Sequence, residues 1–246
     1  MKSAYEILIN DMELNYIIDN VNYNMNHSIN FVNGTSDINY TYCCHGKHHT
    51  FFVVGLIEYI LSALSYDAHT IELGKIAGLL HDIGCYYSRH DHARISASMC
   101  LYFVSKTNFN SNDLKIIEQA VLDHSTGTDI NSAVGAALMI ADKMTDANRA
   151  NPVKADLIRG GFKNEAELNK LDKYVNPSPV NKDFVQLNIK DRDIIFSYDV
   201  EGNKEKFINE YLIKKLTSAP FILTQKAAAY LKCNCIYQVN GDEVEN

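Results

Sequence analysis

An apolar helix that ends in the adjacent residues His81 and Asp82 is the feature that most constrains this 246-residue chain. Apolar residues before the pair recur at helical spacing, and Thr70 is predicted to cap this helix, which runs to Gly84. Neighbouring side chains of a regular helix point in different directions, so both could reach one centre only where the helix ends and the chain turns at Gly84. Histidine and aspartate are both ligands of divalent metals. The pair therefore predicts a metal site at a helix end.

Helical periodicity covers the middle of the chain. From His49 onward, apolar residues between Phe52 and Leu64 recur every three or four positions and define one buried face. The remaining predictions for the first 175 residues are helices at Ala4–Ile18, His92–Lys106, Ser111–Asp123, Asn131–Asn148 and Asn164–Tyr174, and an Asn-rich loop at Asn20–Thr41. This pattern predicts a mainly α fold.

The last 71 residues change in character after a predicted linker at 176–179. Two strands, Val185–Ile189 and Ile194–Tyr198, are predicted on either side of a polar turn at 190–193. A helical segment, Lys204–Leu231, is interrupted near Pro220, and a further strand is predicted at Cys233–Val239. We therefore expect three parts: an N-terminal helix and loop (1–44), a helical domain (45–175) and a small α+β C-terminal extension (176–246).

Composition and charge argue against several classes of protein. The formal net charge of −7 is unlike the basic surface that broad nucleic-acid binding requires. No apolar run approaches the length of a membrane span, and the first residues do not resemble a signal peptide. The six cysteines form no C-x-x-C pair, which is typical of a reducing compartment. The sequence therefore predicts a cytoplasmic protein that neither binds membranes nor binds nucleic acids broadly.

Further histidines and aspartates occur near the ends of the predicted helices. They are His48 and His49 at a helix start, His90 and His92 before another, His124 at a helix end and Asp142 within the last helix of the domain. A single histidine on an apolar face is usually a hydrogen-bonded core residue, but so many beside acids and helix ends predict a metal site. Two choices stay open: His48 or His49, and His90 or His92, with His90 as an alternative substrate contact.

Three short strings resemble the HD-domain phosphohydrolase superfamily. They are Ala77–Gly84, which contains His81-Asp82, the segment from Ile140 to Lys143 and the segment from His124 to Gly127. The last string is similar to bacterial HD-type symmetrical diadenosine tetraphosphate hydrolases. The resemblance implies an HD-domain helical bundle in which one metal is held by His49, His81, Asp82 and Asp142. It also implies a second metal held by His92 and His124, with Asp82 between the two ions.

The resemblance implies hydrolysis of a phosphoester or phosphoanhydride bond by a metal-activated water. The expected substrate is a small phosphorylated molecule, most naturally a nucleotide, and the expected cofactors are two divalent ions from among Fe, Mn, Ni, Co, Zn and Mg. Catalytic candidates are Asp82, Lys143 and Asp123, the last as an orienting group for His124 or in proton transfer. Candidate phosphate contacts are Lys47, Arg94, Lys143, Arg149 and His90.

Two alternatives stay open at the level of function. The same ligands serve other HD activities, including nucleotide phosphatases and cyclic-nucleotide phosphodiesterases. A different class is a metal- and nucleotide-binding regulatory module with little or no catalysis, in which the C-terminal extension senses a ligand or forms a homodimer. A panel of substrates separates these alternatives.

Overall fold

The structure, a computed structural model, describes residues 2–33, 45–126, 130–144, 180–200 and 202–244. Within them, a bundle of helices is followed by a four-stranded sheet that carries further helices. The prediction of a mainly α fold with a small α+β extension is therefore confirmed. The predicted helix at 164–174 and the predicted linker at 176–179 lie outside the described residues.

The N-terminal region contains two helices, α1 (Ala4–Ile9) and α2 (Met12–Asn33). The prediction of a loop is therefore wrong for residues 20–33, and the predicted first helix is split in two. A new helix starts because the carboxylate of Asp11 accepts a hydrogen bond from the backbone N–H of Leu14 at 2.9 Å. The face of α2 toward the core carries Ile17, Ile18 and Val21, all buried. Packing of this face offsets the low helix propensity of asparagine, which costs roughly 0.7 kcal/mol per residue or less.

The helical domain is built from α3 (Lys47–Ala63), α4 (Ala68–Leu80), α5 (His92–Val104), α6 (Ser111–Thr126) and α7 (Ala133–Met144). A 3-10 turn, Ile83–Tyr86, follows α4. The cap of α4 is Asp67, whose carboxylate accepts from the N–H of Thr70 at 2.9 Å, so the prediction of Thr70 as cap is wrong. Asp67 precedes the first helical residue and can reach the free N–H groups of the first turn.

Helices α3 and α4 pack closely and antiparallel. A β-carbon added at Gly74 would lie 2.7 Å from the side chains of Ile57 and Leu61, and one added at Gly78 would lie 2.8 Å from Ile57. The two glycines thus let the helix backbones approach. Because α3 starts where α4 ends, this packing places the first turn of α3 beside the last turn of α4, where His81 lies.

The C-terminal extension contains strands β1 (Val180–Lys190), β2 (Asp193–Val200), β3 (Asn234–Val239) and β4 (Asp242–Glu243). Between β2 and β3 the chain forms α8 (Lys204–Phe207), a π-helical turn (Ile208–Leu212), α9 (Ile213–Leu216) and α10 (Ala219–Tyr230). The predicted break near Pro220 lies just before that residue, which occupies the first turn of α10, where a missing N–H costs no hydrogen bond.

The strands form one sheet in the order β1-β2-β3-β4. Strands β1 and β2 pair antiparallel, and the two residues between them, Asp191 and Arg192, both have positive φ, as tight two-residue hairpin turns require. Strand β3 pairs parallel with β2, with Asp193 opposite Asn234 and Tyr198 opposite Val239. A parallel pair needs a crossover connection, which the helices α8 to α10 supply.

The extension packs on the helical domain, with α10 against α7. The hydroxyl of Tyr59 on α3 also accepts from the N–H of Ile189 at 3.2 Å and donates to the side-chain oxygen of Asn188 at 3.1 Å. Buried apolar residues from both parts form one cluster. No helix in the part of the chain that the structure describes is long and apolar enough to cross a membrane.

Candidate metal centre

Five helix ends or helix faces converge on one buried centre. Its polar side chains are His49 in the first turn of α3, His81 and Asp82 at the end of α4, His92 at the start of α5, His124 near the end of α6 and Asp142 in α7. All six are buried. The fold therefore brings together every residue that the resemblance implies as a metal ligand.

One group of donor atoms joins α3, α4 and α7. The Nε2 atom of His49 lies 3.1 Å from Nε2 of His81, 3.2 Å from Oδ2 of Asp82 and 3.4 Å from Oδ1 of Asp142. The Nε2 atom of His81 lies 3.1 Å from the same Oδ2 of Asp82. Four donor atoms from four side chains thus surround one small volume, which we call group one.

A second group of donor atoms lies on the other side of Asp82. Its Oδ1 atom is 3.5 Å from Nε2 of His92 and 3.5 Å from Nε2 of His124, and these two nitrogens are 3.3 Å apart. We call this set group two. Asp82 therefore directs one carboxylate oxygen to each group, which is the arrangement that a carboxylate bridging two ions requires.

Backbone carbonyls favour one tautomer of three of the histidines. The Nδ1 atoms of His81, His92 and His124 lie 2.7, 2.9 and 2.5 Å from the carbonyl oxygens three residues earlier, at Gly78, Arg89 and Val121. A carbonyl only accepts hydrogen bonds, so each Nδ1 carries the proton in such a bond. In the neutral ring, the Nε2 atom then carries a lone pair that points toward the centre, as in ordinary histidine metal sites.

This donor set fits divalent cations. When the Nε2 atoms carry lone pairs, the short contacts within each group bring hydrogen-bond acceptors together, and these acceptors repel one another. A cation bound between them would remove this repulsion, because each acceptor could then coordinate it. Two ligand atoms bonded at about 2.1 Å and at right angles around one ion are about 3 Å apart. The separations of 3.1 to 3.9 Å within the two groups are close to that spacing. His and carboxylate ligands suit several first-row ions and do not select one.

Burial and charge shift the titration of the centre. Burial by itself opposes ionisation of Asp82, but in the metal-free protein the attraction of protonated His81 and His45 holds its pKa well below the usual range. Burial lowers the pKa of His92 to about 4, against the opposing effect of Asp82. Burial also disfavours charge on His81, yet Asp82 and Asp142 raise its pKa above the ordinary value.

The structure places one histidine of each open pair at the centre. His49 lies in group one, whereas the side chain of His48 lies outside the described part of the chain. His92 lies in group two, and His90 is exposed. The predicted substrate contact of His90 stays a prediction.

Two predicted catalytic residues differ in their placement. The Nζ atom of Lys143 lies 2.7 Å from Oδ2 of Asp142, so Lys143 holds the carboxylate whose other oxygen faces group one. Asp123 instead accepts from the side chain of Gln119 at 2.9 Å on the outside of α6. The expectation that Asp123 orients His124 is not supported, because the carbonyl of Val121 makes that contact.

The other predicted phosphate contacts lie away from the donor atoms or outside the described residues. Lys47 is exposed and pairs with Asp19 at 3.3 Å. Arg94 is exposed on α5, and Arg149 lies beyond the described residues. None of these three supplies a contact to the centre in the part of the chain that the structure describes.

Sequence reasoning missed three neighbours of the centre: His45, Cys85 and Arg89. His45 is buried, and its ring lies 5.9 Å from that of His49 and 6.2 Å from that of His92. His45 and Cys85 each offer a ligand atom close to Asp82. Their spacing of three or four residues from a predicted ligand was the available signal, because residues so close along the chain also lie close in space.

Residues 47–148 match the HD domain family, so the match spans α3 to α7 and ends beyond Met144. All six side chains of groups one and two fall within it. Within this matched segment, the buried His/Asp cluster could hold a metal ion. No curated protein matches the chain significantly.

Proposed function

We propose that this protein hydrolyses a phosphoester or phosphoanhydride bond of a nucleotide with two divalent ions bound in groups one and two. One observation carries the proposal: within a segment that matches the HD domain, Asp82 divides its two oxygens between two histidine-containing groups. A purely structural ion would need only one such group, whereas two adjacent ions can bind both the attacking and the leaving oxygen of a displacement at phosphorus.

The protein residues would hold and orient this centre. His49, His81, Asp82 and Asp142 would bind one ion, and Asp82, His92 and His124 the other. When bound, the ions supply a water of lowered pKa and withdraw charge from the phosphoryl oxygens. The backbone carbonyls that accept from the histidine Nδ1–H groups keep the Nε2 lone pairs aimed inward before any ion arrives. Burial of all six side chains keeps competing bulk water away.

The finer parts of the proposal rest on sequence resemblance and composition. The string from His124 to Gly127 makes dinucleoside polyphosphates the first substrates to test, followed by nucleoside mono-, di- and triphosphates and cyclic nucleotides. Cytoplasmic location and a homodimer formed through the extension are proposed on the same basis.

The test begins with protein purified without chelator. Bound metal is measured by inductively coupled plasma mass spectrometry, and the substrates named above are screened with added Mn²⁺, Fe²⁺, Ni²⁺, Co²⁺, Zn²⁺ or Mg²⁺. We expect turnover of at least one phosphorylated nucleotide. Asp82→Ala should lose most of the metal and nearly all turnover, while Asp199→Ala, which removes an exposed aspartate of β2, should keep both.

Two results would count against catalysis. A protein that binds two ions and nucleotides but turns over none of the panel would favour the regulatory module instead. Full activity of Asp82→Ala would show that the reaction does not use this centre.

A further inference from the structure

Arg89 is a cation beside group two for which the structure gives no carboxylate partner among the described residues. It lies between the 3-10 turn and α5, three residues before His92, and its side chain is partly buried. Its Nη1 atom is 2.9 Å from Nδ1 of His92. The guanidinium is thus separated from the donor atoms of group two by the width of one imidazole ring.

The contact between Arg89 and His92 joins two donors once His92 binds a cation. In that state Nε2 of His92 uses its lone pair on the ion, so Nδ1 carries the proton and donates to the carbonyl oxygen of Arg89 at 2.9 Å. A guanidinium has only donors and remains charged at all relevant pH values. The Nη1 group therefore cannot use His92 as an acceptor in the metal-binding tautomer.

A second atom of the same side chain also lacks an acceptor. The Nε atom of Arg89 is buried and has no hydrogen-bond partner among the described residues. Leaving buried donors of a charged group without a partner is unfavourable, so the position favours an anion that supplies acceptors. The other cations differ: Lys47 pairs with Asp19 and Lys143 with Asp142.

We propose that Arg89 binds phosphoryl oxygens of the substrate beside group two, as a substrate-positioning residue. This inference rests on the proposed function. The planar fork of a guanidinium matches two oxygens of one phosphate, which a lysine cannot do. The site then takes a phosphate held by the metals on one side and by Arg89 on the other. Arg89 was not among the residues predicted from the sequence, because only its contact with His92 marks it as a candidate for binding phosphate.

Inorganic phosphate is the probe that tests this role. Its binding to the metal-loaded full-length protein is measured by isothermal titration calorimetry, with metal content determined for every variant. We expect Arg89→Ala to weaken phosphate binding about tenfold to a hundredfold at unchanged metal content. Metal content should persist because His92 donates to the backbone carbonyl of residue 89, which the substitution keeps.

Two further variants sharpen the comparison. Arg89→Lys keeps the charge without the fork and should bind phosphate with intermediate affinity, and it serves as the readout if Arg89→Ala fails to fold. Lys115→Ala removes an exposed charge near the start of α6 and should bind phosphate as the wild type does. With substrate, Arg89→Ala should raise KM more than it lowers kcat.

The outcomes separate this inference from the proposed function. If wild-type protein binds phosphate and hydrolyses a nucleotide but both Arg89 variants bind phosphate equally well, the role of Arg89 is overturned and the proposed function stands. The role is likewise overturned if Arg89→Ala loses metal while its remaining loaded sites bind phosphate normally, since that result marks a structural residue. Wild-type protein that binds metal but neither phosphate nor any nucleotide overturns both.

Discussion

Gly84 lies directly against the backbone of His92: a β-carbon added at Gly84 would come within 2.1 Å of the carbonyl oxygen of His92. The N–H of Gly84 also donates to the hydroxyl of Ser96 at 2.8 Å. Gly84 does not have a positive φ. The chain turns here in the 3-10 segment that follows α4, as expected, and the absence of a side chain at Gly84 also lets this segment pack on the start of α5. This contact holds the start of α5, which carries His92 of group two, against the segment that follows Asp82.

Gly84→Ala should destabilise the protein by about 3 kcal/mol or more and should release metal from group two. Overpacking of a core usually costs about 1–3 kcal/mol, and here the obstacle is backbone, which cannot rotate away. Urea denaturation gives the free energy of unfolding, and metal analysis gives the loss of ions. Gly55→Ala is the matched control, because a β-carbon there meets nothing within 4 Å on an exposed face of α3. It should stabilise α3 by roughly 0.5–1 kcal/mol.

Removing ligands one group at a time should change the number of bound ions stepwise. We expect about two ions per chain in the wild type, about one in Asp142→Ala or His124→Ala, and almost none in Asp82→Ala, because only Asp82 belongs to both groups. Metal analysis after gel filtration measures this directly. Asp123→Asn should keep both ions, since its carboxylate contacts Gln119. Loss of both ions in Asp142→Ala and in His124→Ala would contradict two separable ions.

Lys143→Ala should weaken metal binding by about tenfold to a hundredfold, the usual effect of losing a group that orients a ligand. The reason is the 2.7 Å contact between Lys143 and Asp142, whose other oxygen faces group one. Competition with a fluorescent chelator measures the affinity. Lys75→Ala breaks a comparable 2.9 Å ion pair with Glu58 on the helix surface and should leave metal affinity unchanged. Unchanged affinity with a raised KM in Lys143→Ala would instead support the predicted phosphate contact.

The metal-free protein should lose stability as the pH falls from 6.5 to 4 in a way that depends on His92. The unfolded chain takes up a proton at His92 near pH 6.5, but burial lowers the pKa of His92 in the folded protein to about 4. Between these values the unfolded state binds more protons, so lowering the pH favours unfolding, by about 3 kcal/mol in total.

Urea denaturation with a chelator present, at intervals between pH 4 and 7, tests this contribution. His92→Gln should show a flatter dependence of the unfolding free energy on pH than the wild type does. The comparison removes effects common to both proteins, such as the raised pKa of His81. Identical slopes in the two proteins would show that His92 titrates normally in the folded state.

Local patterns account for what could be read before the fold was known. Period-three-and-four spacing placed α3 and α4, and alternation placed β1, β2 and β3, since each pattern depends only on which face of an element is buried. Prediction from local patterns failed at α2, where packing of Ile17, Ile18 and Val21 outweighed the weak helix propensity of asparagine.

The sequence by itself determined the types of residue available for a metal centre and their positions at helix ends. Only the tertiary structure decided that His49 and His92 join it, that Asp82 gives one oxygen to each group, and that Arg89 stands behind His92. The physical reason for the metal centre is distance along the chain, since its contacts join side chains as far apart as His49 and Asp142. For Arg89 the reason is that the path of the chain between the 3-10 turn and α5 follows no regular period. Periodicity fixes the direction of a side chain within one helix, but the packing of α3 to α7 fixes which side chains meet.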